Sequence, residues 1–219
     1  MKAILILLVL MILGAFCTIA DAQTQATADS LIVHRYLNDT LGFTPYTGAS
    51  LPGSVVPDKA FSYWELNMID GNRTFTNLYR SAETKGQSKQ DVLSKTTNGI
   101  GTVCPPGWCS WYISARKATG DTVTVTDCQG LGNFLGEIVN PYNAFFLLSC
   151  STKYDSGIIP LGTAPGTSYK SVANGFLIIV NLRVNDCPVT DADLLYYVGK
   201  DKRVILIQQL RKTVLGGCI

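Results

Sequence analysis

Histidine is nearly missing from this chain: of 219 residues, only His34 carries an imidazole. One histidine cannot build a multi-histidine zinc or iron site. A Ser-His-Asp or Cys-His centre would have to recruit His34 itself as its proton shuttle, and His34 reads as a surface residue of a short N-terminal helix. Also lacking are a G-x-S-x-G elbow, a P-loop, a Rossmann fingerprint, an HExxH motif, a CxxC pair and any internal repeat. Asp191 and Asp193 read as helix-start residues rather than a glycosidase pair. No catalytic residue, metal or cofactor is therefore expected, and the chain reads as a non-enzyme. Charge is scarce and balanced: 16% of residues are charged and the net charge is +2. That balance leaves no footprint for nucleic acid or an acidic membrane.

Long apolar runs are scarce too. The longest spans residues 3–13, follows Met1-Lys2, and leads to Ala20-Asp21-Ala22, which fits an A-x-A cleavage site. Residues 1–22 are thus expected to be a secretory signal peptide. No second run reaches about 20 apolar residues, so stable membrane insertion is not expected. The expectation is a secreted, extracellular protein of about 197 residues, enough for one domain with a real core.

Cysteine usage agrees with that compartment. Of seven cysteines, Cys17 falls in the leader; Cys104, Cys109, Cys128, Cys150, Cys187 and Cys218 remain. Six in an oxidising setting point to disulfides, with 15 pairings open. Asn38-Asp-Thr40 and Asn72-Arg-Thr74 are glycosylation sequons, which places Asn38 and Asn72 at the surface.

Leu31, His34, Leu37 and Leu41 recur at helical spacing after Asp29-Ser30, a possible cap. Residues 44–59 hold Pro45, Pro52 and Pro57 and read as a linker, so residues 23–59 form an N-terminal extension. The domain proper is expected over residues 60–219. Strands are predicted over 60–70, 74–83, 87–97, 108–118, 122–128, 133–139, 144–150 and 175–184, with turns at Asp70-Gly71, Asn98-Gly99, Gly120-Asp121 and Asn140-Pro141. A helix is predicted over 191–198, capped by Thr190 and ended by Gly199. Residues 203–214 fit either a last strand or a second helix. The sum is a mainly all-β, antiparallel sandwich or barrel.

The second half of this order resembles the lipocalins, particularly the apolipoprotein D type. The stretch 140–150, NPYNAFFLLSC, is similar to that group's turn and strand ending in Ser-Cys. Residues 176–183, FLIIVNLR, resemble the last barrel strand with its arginine. Residues 185–194, NDCPVTDADL, resemble the loop and helix that follow. Trp64 in Phe61-Ser62-Tyr63-Trp64 stands where the family places its first-strand tryptophan, although Ser62 replaces the motif's glycine. Val139-Asn140-Pro141 replaces the usual Thr-Asp-Tyr, and no cysteine precedes the first strand. The resemblance implies an eight-stranded antiparallel barrel with one C-terminal helix. It also implies that Trp64 and Arg183 close one end of the barrel by a cation–π contact.

Such a barrel encloses room for one small ligand. The resemblance therefore implies a secreted carrier or scavenger of a small hydrophobic molecule: a lipid, a retinoid-like compound or a pigment. Alternate aromatic strand positions would line the pocket, with Trp111, Ile113, Phe134 and Phe146 as lining residues. Tyr154 and Ile159, from the Gly- and Pro-rich stretch 151–174, would form a lid. The alternative is a secreted, disulfide-stabilised structural or recognition protein of matrix, mucus or defence, with a filled core and no ligand cavity.

Overall fold

The computed structural model describes residues 25–46, 51–70, 73–81, 96, 98–104, 107–151 and 166–217. The expected leader, residues 1–22, lies outside the described residues. The chain divides into two units, Met1–Asp39 and Thr40–Ile219. In the first, helix α1 covers residues 25–36, and Gln25 Nε2 donates to Asp29 Oδ1 at 2.8 Å one turn along. Asp29 and Ser30 lie inside this helix, so they do not cap it. Leu37 and Leu41 fall beyond its end, where Asn38 turns the chain at φ 63°, a conformation asparagine takes more readily than most residues.

The second unit runs β1 (Thr44–Pro45), α2 (Leu51–Ser54), β2 (Phe61–Ile69), β3 (Phe75–Arg80), β4 (Ile100–Cys104), β5 (Gly107–Lys117), β6 (Thr122–Val125), α3 (Cys128–Leu135), α4 (Pro141–Ser151), β7 (Ser168–Val172), β8 (Gly175–Asp186), β9 (Val189–Gly199) and β10 (Val204–Gly216). The chain is mainly β, and every strand pair is antiparallel. The strands form two sheets, one in the order β1-β7-β8-β9-β10 and one in the order β3-β2-β5-β4. β6 joins the second sheet beside β5, continuing the edge that β4 begins. No closed barrel is found among the described residues.

Two stretches expected as strands are helical. The run 144–150 lies in α4, and 133–139 straddles the end of α3. Local chemistry explains both. Asp127 caps α3 by accepting from the Gly130 N–H at 2.7 Å, and Gly136 ends it at φ 64°. Asn140 caps α4 by accepting from the Asn143 N–H at 2.8 Å, and Pro141 takes the first helical position, where it loses no hydrogen bond. The apolar run that resembled a buried strand is instead a helix hydrophobic on all sides: Ala144, Phe145, Phe146, Leu147 and Leu148 are all buried. Cys128–Cys150 ties the two helices, Cα–Cα 5.6 Å. Closing a loop of that length stabilises by about 3 kcal/mol in the chain-entropy picture.

The predicted helix over 191–198 is the opposite case: these residues form β9. A two-residue turn at Cys187 and Pro188 folds β8 directly onto β9, and β10 pairs with its other side. Asp191 and Asp193, read from sequence as helix-start charges, meet cross-strand partners instead. Ala192, Leu194, Tyr196 and Val198 alternate onto the core face. Residues 203–214 resolve as strand for the same reason, since β10 is this hairpin's second arm. Within the expected loop 151–174, Ser168–Val172 form a strand paired to β8.

The stretch 44–59 is more than a linker. Tyr46 and Val55 are buried in the core. Asn143, fully buried in α4, clamps Val56 at both ends of its peptide: it accepts from the Val56 N–H at 2.9 Å and donates to the Val56 carbonyl at 2.7 Å. The core itself lies between the inner faces of both sheets and around α3 and α4.

Candidate functional site

Strand β2 reads Tyr63-Trp64-Glu65-Leu66-Asn67, and its period of two sends alternate side chains to opposite faces of the second sheet. Inward go Trp64 and Leu66, and from β5 come Trp111, Ile113 and Ala115. Here lie most of the residues expected to line a pocket. Trp111 stacks on Phe146 with centroids 5.3 Å apart, and Trp64 meets Phe134 edge-on at 5.4 Å. Ile113, Phe134 and Phe146 are each 0% exposed. The four described lining residues are therefore brought together, but they pack on one another. Tyr154 and Ile159 lie outside the described residues.

The expected closing pair is not brought together. Trp64 packs against Tyr79 at 4.7 Å and against Phe134. Arg183 stands on β8 beside its register partner Asp191, Nε to Oδ1 3.5 Å, an ion pair without hydrogen-bond geometry. Two residue pairs along, Asp193 accepts from Asn181 at 2.7 Å and forms an ion pair with Arg211 Nε at 2.8 Å. This charged ladder across β8, β9 and β10 accounts for Arg183 and both aspartates.

Of the cysteines, Cys109 and Cys187 are disulfide-bonded, as are Cys128 and Cys150. Cys218 and the Cys104 side chain lie outside the described residues. Asn38 is exposed, and Asn72 lies outside the described residues. His34 is exposed on α1. Among the described residues no group of three His, Cys, Asp or Glu side chains is placed to hold a metal, and no helix is long and apolar enough to cross a membrane.

The outer face of β2 carries what sequence reasoning missed. Tyr63, Glu65 and Asn67 are at most 2% exposed, as are Tyr112 and Ser114 of β5. In register, Glu65 lies between Arg80 and Ser114, and Asn67 between Asn77 and Tyr112. Glu65 Oε1 accepts from the Tyr63 hydroxyl at 2.6 Å and pairs with Arg80 Nε at 3.2 Å. Arg80 Nε also donates to Asn77 Oδ1 at 3.1 Å, and Asn77 Nδ2 donates to Asn67 Oδ1 at 2.9 Å. Two buried atoms of this row make no hydrogen bond: Glu65 Oε2 and Asn67 Nδ2. Burial, then the Glu65 charge, hold the Tyr112 hydroxyl above the usual tyrosine range, against a backbone hydrogen bond from Thr96 that pulls down. The signal in the sequence was the polar half of β2's alternation, which by itself reads as an ordinary solvated face.

Comparison of the chain with protein-family models, with curated proteins and with solved structures found no match in any of the three.

Proposed function

We propose that this chain is a secreted, disulfide-braced recognition or structural protein that acts through its surfaces and loops. The observation that carries the reading is the aromatic packing of the core, where Trp111 stacks on Phe146 and Trp64 meets both Phe134 and Phe146. The side chains best suited to line an apolar pocket are used on each other. Bonded cysteines at 109, 128, 150 and 187 suit an oxidising compartment. The exposed Asn38 offers a glycan site in the same setting.

A second reading is a carrier of a small hydrophobic ligand, in a lipocalin-like barrel. What favours it is the concentration of aromatic side chains between two antiparallel sheets. It requires a ligand to displace part of that packing. Native mass spectrometry of the secreted protein, before and after organic extraction from a lipid-containing medium, separates the two. A clean mass, with no shift in melting temperature across a lipid panel, supports the recognition reading. A discrete adduct that leaves on extraction and returns with added lipid overturns it in favour of the carrier, because bound ligand stabilises by mass action.

A further inference from the structure

We propose that a Cys187–Cys218 disulfide latches the C-terminal end of β10 onto the β8–β9 turn, and that this latch is the first bridge a dithiol opens, releasing residues 212–217 from β9. It stands whichever reading of the aromatic core is right.

Strand register carries the pairing. Cys187 is disulfide-bonded, and Cys128 and Cys150 are bonded to each other. Near the end of β10, Gly216 lies opposite Val189, and the Val189 N–H donates to the Gly217 carbonyl at 3.0 Å. Continuing that register by two residues sets position 218 opposite position 187. Residues directly opposite in an antiparallel pair stand about 4.5–5.5 Å apart between Cα atoms. A disulfide spans about 4.4–6.8 Å. The rival partner, Cys104, ends β4 in the other sheet. There β4 pairs with β5 so that Cys104 lies opposite Gly107, two residues from the bonded Cys109. Cys104 is thus the local partner for Cys109, and the map uses all six cysteines that follow the expected leader.

Exposure separates the bridges. Cys187 is exposed, Cys109 is buried, and Cys128 and Cys150 are half-buried. Thiol–disulfide exchange needs a thiolate to reach a sulfur, so access sets the order. The dithiol's thiolate displaces one cysteine sulfur and forms a mixed disulfide with the other. Its second thiol then closes on the first. The reagent leaves as a cyclic disulfide, having passed two electrons and two protons to the chain, which gains two thiols.

The segment behind the latch has little else to hold it. Every residue from Arg211 to Gly216 is exposed, so core packing does not anchor this end. Arg211 is tied to β9 by its ion pair with Asp193. Beyond it the register slips between Val214 and Gly216. Strand pairing with so little burial belongs to the low end of local stability. When this end leaves, the Val189 N–H loses its acceptor.

The test starts from the full secreted chain, digested with trypsin without reduction. Cys104 and Cys109 then share the peptide 96–116, and Cys128 and Cys150 share 118–153. Cys187 falls in 184–200 and Cys218 in 213–219. The proposed map therefore gives a single cross-linked pair of peptides, 184–200 with 213–219, which separates on reduction. Any other cross-linked pair overturns the pairing. Limited dithiothreitol followed by alkylation should label Cys187 and Cys218 before Cys109, Cys128 and Cys150. In that partly reduced protein, amide exchange should rise at least about tenfold at Val189 and residues 212–217 and stay unchanged in β5 and α4. The Cys187→Ser, Cys218→Ser protein should show the same exchange pattern with no reductant, and the partly reduced protein decides alone if that variant does not fold. Earlier labelling of Cys128 and Cys150, or unchanged exchange at the end of β10 with the bridge open, overturns the latch.

Discussion

Leu66 and Asn67 are neighbours on one strand and almost equally buried, at 0% and 2% exposed. They belong to different kinds of interior. Leu66 points into a core that α3 and α4 fill with aromatic and aliphatic side chains, where packing leaves nothing unsatisfied. Asn67 points into a polar row in which Glu65, Tyr63, Asn77 and Arg80 are bonded but two atoms are not. Burial alone therefore says little about completeness. An apolar interior is complete when space is filled, and a polar one only when every lone pair and every N–H is matched.

The strongest way to break that contrast is at the apolar face. Phe146→Ala should cost about 3–5 kcal/mol and Leu66→Ala about 2–5 kcal/mol, read as a fall in the denaturation midpoint. A loss below about 1 kcal/mol at Phe146 would show that the space between the sheets is not filled as described. Next in size is the bridge: Cys128→Ser with Cys150→Ser should cost about 3 kcal/mol, measured against the unaltered protein in the same denaturant series.

Smaller effects sharpen the comparison. Asn67→Ala loses its hydrogen bond with Asn77 but also removes an unmatched N–H, so the net change should stay near about 1 kcal/mol, well under that of Leu66→Ala. Tyr46 probes a third setting, a satisfied polar group in an apolar place. Its hydroxyl donates to the Pro141 carbonyl at 2.6 Å. Burial, then Tyr169 and Tyr142, hold it well above its ordinary value of 10.0. Because the folded state keeps this proton longer than the unfolded chain, its contribution is fully present below pH 10 and is lost as pH rises further. Tyr46→Phe should cost about 1 kcal/mol at neutral pH and flatten the alkaline fall in urea midpoint. Smallest of all, Arg183→Ala should cost under about 1 kcal/mol, as suits a half-exposed strand-to-strand ion pair. A loss of several kcal/mol would restore the barrel-closing role.

Much of the β structure was legible because it rests on local signals. Alternation over Thr122–Val125 and the turn at Asp70 marked strands that formed, and the continuous run at residues 176–180 marked one buried on both faces. The helices were misread in both directions. The run 144–148 has no periodicity to separate a strand from an all-round buried helix, and only Asn140 and Pro141 favoured the helix. Residues 190–198 carried every local mark of a helix start, but pairing with β8 and β10 overrode them.

The sequence by itself determined which side chains share a face of β2, because the strand period is fixed by backbone geometry. It also holds the caps of α3, Asp127 and Gly136, which act within a few residues, although the pattern over 133–139 reads as a strand. Only the tertiary structure decided that both faces of β2 are buried, that Arg183 meets Asp191, and that Glu65 and Asn67 share a row with Asn77, Arg80 and Tyr112. Those outcomes depend on which distant strands arrive on either side, and strand pairing is a long-range choice that no window of sequence contains.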